Sequence, residues 1–144
     1  MKNRGFSLLE LMIVVAILMI LGGGGIWALK DRLYKNEIIK IRAAVPTLLN
    51  SGALRVYEKG TSGAALTVSP HSLSISNVGS GMEVKSNMFT FSTTSSAVSR
   101  GINDLGGFNN DFNILVEDRD GNDVMTFNII TKSSFGVFRV DVVE

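Results

Sequence analysis

The feature that most limits what this chain can fold into is an apolar stretch near its start, Phe6 to Leu29, 24 residues interrupted by one acid. As an α-helix rising 1.5 Å per residue it would reach roughly 36 Å, enough to cross a hydrocarbon core of about 30 Å with some tilt. Met1 to Gly5 precede it and carry Lys2 and Arg4. Basic flanks stay cytoplasmic, so the sequence predicts a single-pass helix in the cytoplasmic membrane, with everything after Leu29 on the far side. A secretory signal would close on a small-x-small cleavage site, whereas this run leads through Trp27 into Lys30 and Asp31. Removal of the whole helix is therefore not expected.

Two residues are out of place in a plain anchor. Glu10 puts an acid a few residues into the apolar run. An ionisable group costs about 2.5 to 3.5 kcal/mol at the centre of a membrane helix, and less near the interface, so Glu10 needs a partner, a route to the headgroups, or a proton. Gly5 places a small residue where the charged leader meets Phe6. A cut there would leave the helix attached and create an α-amino group, positively charged near neutral pH. That amine would sit about one helical turn from Glu10 of its own or a neighbouring chain.

The run Arg4-Gly5-Phe6-Ser7-Leu8-Leu9-Glu10-Leu11-Met12-Ile13-Val14-Val15 resembles the N-terminus of type IV pilins and pseudopilins. The likeness is sharp over Lys2 to Leu21 and only architectural beyond. It implies that Gly5 is the residue before the prepilin-peptidase cut and that Phe6 becomes the N-methylated first residue. It implies too that Glu10 is the family's buried acid, paired in assembly with the N-terminal amine of an adjacent subunit. The implied partners are prepilin peptidase, an inner-membrane assembly platform, the membrane, and further copies of the chain in a helical filament, extracellular or periplasmic once built. A major pilin, a minor pilin and a type II secretion pseudopilin all fit this resemblance.

Gly22, Gly23, Gly24 and Gly25 make the weakest point of the helix, each costing about 1 kcal/mol relative to alanine. Pilins commonly carry a helix-breaking proline near here, which this chain lacks. The glycines are open to two readings, a segment that melts on assembly or small residues that let helices approach. From Lys30 to Lys59, Ile38, Ile41, Val45, Leu48 and Leu49 recur at helical spacing among Lys35, Glu37, Lys40 and Arg42, predicting an amphipathic helix laid on a globular domain. Pro46 should bend it locally, and Gly60 reads as its C-terminal cap. The expected division is a leader at 1–5, a membrane and filament-core helix at 6–29, an amphipathic helix at 30–60 and a β-rich domain at 61–144.

Beyond Gly60, short β-branched or alternating runs between Gly, Ser and Asn predict antiparallel strands. They fall near Leu66–Val68, Leu73–Ile75, Met82–Val84, Met88–Phe91, Phe112–Glu117, Val124–Thr131 and Phe135–Val142, with a Ser- and Gly-rich loop after the fourth. The fold class is α+β, a long N-terminal helix on an antiparallel sheet, as the pilin resemblance also implies. Pilins often close the C-terminal region with a disulfide, and this chain has no cysteine. The last strand must pin the terminus instead, with Phe138, Val140 and Val142 on one face and Arg139, Asp141 and Val143 on the other.

The densest polar cluster is Glu117-Asp118-Arg119-Asp120-Gly121-Asn122-Asp123. Asp118, Asp120 and Asp123 resemble part of a calcium loop, yet the full loop spacing and its terminal Glu are missing, and Asp-Gly between two strands is an ordinary hairpin turn. The hairpin is the favoured reading, and no cofactor is expected. His71 is the one histidine, with no nucleophile or metal-ligand spacing around it, and Ser92, Ser95, Ser96 and Ser99 lie in turn-rich sequence without an elbow motif. An enzyme is not expected. Net charge is +1, or −1 without Lys2 and Arg4, which offers no broad basic footprint for nucleic acid. Phe89, Phe91, Phe108 and Phe112 therefore read as core or loop anchors. A membrane-anchored binding module is the rival from another class, distinguished by a mature N-terminus that keeps Met1 to Gly5 and by no self-association.

Overall fold

The computed structural model describes residues 7–61, 63–79, 82–94, 98–132 and 137–144. One helix, α1, runs Leu8–Lys59. The strands after it are β1 (Ala65–Ser69), β2 (Ser72–Ser76), β3 (Glu83–Lys85), β4 (Thr90–Ser92), β5 (Ser99–Gly101), β6 (Phe112–Glu117), β7 (Asp123–Lys132) and β8 (Val137–Val143). This is the α+β, pilin-like layout that the sequence predicts. By contacts the chain divides into two compact units, Met1–Asn36 and Glu37–Glu144, so the second takes in the C-terminal part of α1.

Within that second unit α1 buries Ile41, Val45, Leu48, Leu49, Gly52 and Val56. Spacings of three and four place these on one stripe of a 3.6-residue helix. Two glycines let this stripe come close to the strands and loops. A Cβ on Gly52 would strike the Ile75 side chain of β2, and one on Gly106 would strike the backbone carbonyl of Ala53. Gly106 also has φ of 81°, a left-handed conformation natural to glycine. Pro46 lies inside α1 without ending it. The helix stops as expected at Gly60, φ 56°, and the Thr61 N–H donates to the Val56 carbonyl at 3.3 Å, the closing bond of a Schellman cap.

Among the described residues the strands form two four-stranded antiparallel sheets, ordered β3-β2-β1-β5 and β4-β6-β7-β8, rather than one. β1 and β2 meet through a two-residue turn at Pro70 and His71, with Ser69 opposite Ser72. β4 leaves the neighbourhood of β3 to pair with β6, while the Phe91 N–H donates to the Pro70 carbonyl at 2.9 Å. That bond ties the second sheet to the first. β5 falls inside the predicted Ser- and Gly-rich loop, and Ser92 and Ser99 belong to β4 and β5 rather than to loops. Ser99-Arg100-Gly101 shows no apolar alternation because β5 is held by backbone pairing with Ala65, Leu66 and Thr67 of β1.

Alternation is strict where the sequence is most regular. β6 buries Phe112, Ile114 and Val116, and β7 buries Met125, Phe127 and Ile129. Phe89, Phe91 and Phe108 are buried too, and Phe108 makes edge-to-face contacts with Phe112 at 5.0 Å and Phe138 at 5.2 Å. Such ring pairs add about 0.5 to 1.5 kcal/mol beyond their burial. These phenylalanines are core residues. The C-terminal end of β8 is tied to the helix by Glu144, whose carboxylate accepts from Arg42 Nη1 at 2.6 Å.

Candidate functional site

The sequence places its candidate site at the start of α1. Gly5 and Phe6 lie outside the described residues. The helix opens after Ser7, whose carbonyl accepts from the Leu11 N–H at 3.1 Å. Glu10 stands in the first turn, where unpaired backbone N–H groups and the positive end of the helix dipole favour an anion. Its side chain is exposed and has no hydrogen-bond or ion-pair partner among the described residues. Its surroundings are apolar, since Leu9, Leu11, Ile13 and Val14 flank it and every described side chain from Leu8 to Leu29 is exposed.

That exposure is the site's main physical property. Leu8 is 76% and Trp27 78% exposed, and the exposed side chains between them include Leu9, Leu11 to Val15, Ile17 to Ile20 and Ile26. Soluble monomers rarely leave contiguous apolar patches above a few hundred Å² uncovered. The segment is long and apolar enough to cross a membrane. Gly22–Gly25 stay helical, and a Cβ added to Gly22, Gly23 or Gly25 would meet nothing within 4 Å. Within one copy of the chain, Gly22, Gly23 and Gly25 serve no close approach.

The acidic cluster forms the turn of the β6–β7 hairpin, with a register shift at Val116 and Glu117. Asp118 organises it. Its Oδ1 accepts from the N–H groups of Asp120 and Asn122, both at 2.9 Å, and its Oδ2 accepts from Asn122 Nδ2 at 3.2 Å. The backbone and then the side chain of Asn122 hold its carboxyl below the ordinary carboxylate range, against a small opposing effect of desolvation. Gly121 takes φ of 80° to close the turn. Asp118 therefore points its oxygens inward to the turn's own donors, and among the described residues Asp118, Asp120 and Asp123 form no metal-binding group. The cluster is the turn between β6 and β7.

A second carboxylate was not legible in the sequence. Asp111 lies twenty residues from Thr131, whose N–H and Oγ1 donate to it at 2.6 and 2.7 Å. The backbone bond, then the hydroxyl bond, lowers its pKa. His71 is exposed in the β1–β2 turn, and its carbonyl accepts from the Ser86 N–H at 3.0 Å. Among the described residues it belongs to no group of three or more His, Cys, Asp or Glu that could hold a metal ion.

The described residues thus form one long helix, apolar and exposed over its first half with one acid in its first turn, followed by two antiparallel sheets. Residues 1–26 match the prokaryotic N-terminal methylation motif, the signature of type IV pilins and pseudopilins. Comparison with curated proteins and with solved structures gives no match.

Proposed function

We propose that the chain is a structural subunit of a type IV pilus-like filament. Prepilin peptidase would cut between Gly5 and Phe6, the new amine of Phe6 would be N-methylated, and the subunit would wait as a single-pass protein of the cytoplasmic membrane. Assembly would then move α1 from lipid into a core made of neighbouring helices, with the β unit outside. The observation that carries this reading is the methylation motif lying on a helix whose apolar surface its own chain leaves uncovered.

Glu10 supplies the drive. Alone in lipid its carboxylate is disfavoured, and an adjacent subunit's Phe6 amine offers the charge it lacks. Assembly therefore removes a cost that insertion imposes. Abundance separates a major pilin from a minor pilin or secretion pseudopilin, and counting subunits in purified filaments measures it. The test of the whole reading is the mass of the N-terminus from cells. A chain beginning at methylated Phe6 is expected, and Gly5→Val should keep Met1 to Gly5. A mature chain that retains the leader and does not self-associate would be an anchored binding module instead.

A further inference from the structure

Of the four edges that the two sheets present, three are brief: β3, β4 and β5 have three residues each. Short edges resist pairing with other chains. β8 is different. It has seven residues, pairs with β7 without a register shift along its whole length, and is the last strand of its sheet. Its other side has no strand among the described residues, so alternate N–H and C=O groups along that edge face outward. The strand holds no Lys, Pro or Gly, and Val137 and Val143 at its ends are more than half exposed.

We infer that β8 is an interaction surface for a second copy of this chain, pairing antiparallel with the β8 of that copy. The sequence Val137-Phe138-Arg139-Val140-Asp141-Val142-Val143 is complementary to itself about Val140. In that register Val137 faces Val143, Phe138 faces Val142, and Arg139 faces Asp141 of the other copy, twice over by symmetry. Directly opposed side chains lie on the same sheet face, so two opposite-charge pairs form on the outward face and apolar pairs form on the inner one. Arg139 and Asp141 are already ion-paired within one strand, and dimerisation would extend that pair into a four-charge group. A shift of one residue would set Arg139 against valine and lose both ionic contacts.

The contact is isologous, using the same edge on both copies, and it closes at two. Neighbours along a helical filament are related by a screw and make heterologous contacts. The β8 pair would therefore join unassembled subunits or subunits of different filaments, and it stands whether or not the filament reading holds.

The chain has no cysteine, so Val140→Cys places one thiol on the proposed two-fold axis. The full chain is purified in detergent micelles and oxidised, and a disulfide-linked dimer is expected. In that background Arg139→Asp and Asp141→Arg each set like charges opposite one another and should lower the linked fraction by roughly two- to tenfold. Mixing the two variants recreates both opposite-charge pairs and should restore linkage. The charge variants without the thiol, compared by sedimentation, give a second reading of the same order. No linked dimer, linkage indifferent to either charge change, or a mixture no better than its parts would overturn the inference. Any of those results would leave the edge to solvent or to a strand of another protein.

Discussion

Residues 8–36 and residues 37–59 of α1 share one helix but differ in where their apolar side chains find cover. In the second stretch Ile41, Val45, Leu48, Leu49 and Val56 are buried, while Lys40, Arg42, Arg55 and Lys59 share the exposed surface with Ile39, Leu54 and Tyr57. In the first, every described Leu, Ile, Met and Val side chain is exposed, whichever way it points. A helix apolar all round is stable only in lipid or among other helices, whereas a one-sided stripe is satisfied within a single domain. The comparison thus separates the stretch that packs within the chain's own domain from the stretch that, on the proposed function, packs against other copies.

The largest effect should come from breaking the buried stripe. Leu49→Ala removes a fully buried side chain and should cost about 2 to 5 kcal/mol in the melting of the β-containing unit. Leu18→Ala, at an exposed position, should leave that melting unchanged while lowering filament yield. Equal losses of stability would erase the distinction.

Glycines sharpen it next, because those of the two regions should respond with opposite sign. Gly106→Ala forces a side chain into a left-handed backbone against Ala53 and should destabilise by about 2 to 4 kcal/mol. Replacing Gly22–Gly25 by alanine meets open space at Gly22, Gly23 and Gly25 and should favour the helix by roughly 3 to 4 kcal/mol in summed propensity. If the glycines matter because the segment melts during assembly, insertion persists and filament yield falls, as counted by electron microscopy. Unchanged yield would remove melting from the account.

The smallest effects lie in the surface carboxylates. Asp111 and Asp118 both have lowered pKa values, so folding favours their ionised forms. The stability they contribute is complete above the ordinary carboxylate value of about 3.9 and is lost as pH falls through their lower folded values. The melting temperature should drop below about pH 4 less steeply in Asp118→Asn than in the parent chain. At neutral pH, melting with calcium and with a chelator should coincide, since the oxygens of Asp118 serve the turn. A calcium-raised melting point would return the cluster to metal binding.

The sequence revealed the molecule unevenly, and the reasons are physical. Strands that bury every second residue, such as Phe112–Glu117, announced themselves through alternation, and the end of α1 through Gly60. β5 was hidden because Ser99-Arg100-Gly101 depends on the backbone of β1 rather than on its own apolar pattern. The split into two sheets was hidden because pairing β4 with β6 is a long-range choice that local pattern does not encode. Gly52 and Gly106 were silent for the same reason, since their importance lies in what approaches them. The N-terminal methylation motif was legible at residues 1–26, because Glu10 and Gly5 violate the expectations of a plain membrane helix at particular positions.

The central claim is that Glu10 serves assembly rather than folding, and substitution at that residue tests it most directly. Glu10→Leu removes the cost of placing a carboxylate in lipid, so the variant should insert at least as well as the parent and melt identically in its β unit. It should be trimmed to Phe6 and yet yield few or no filaments. Glu10→Gln, which keeps size and hydrogen bonding but loses the charge, should also impair assembly. Filaments at the parent yield from stable, processed Glu10→Leu protein would contradict the account and leave Glu10 as an acid that merely reaches the headgroups.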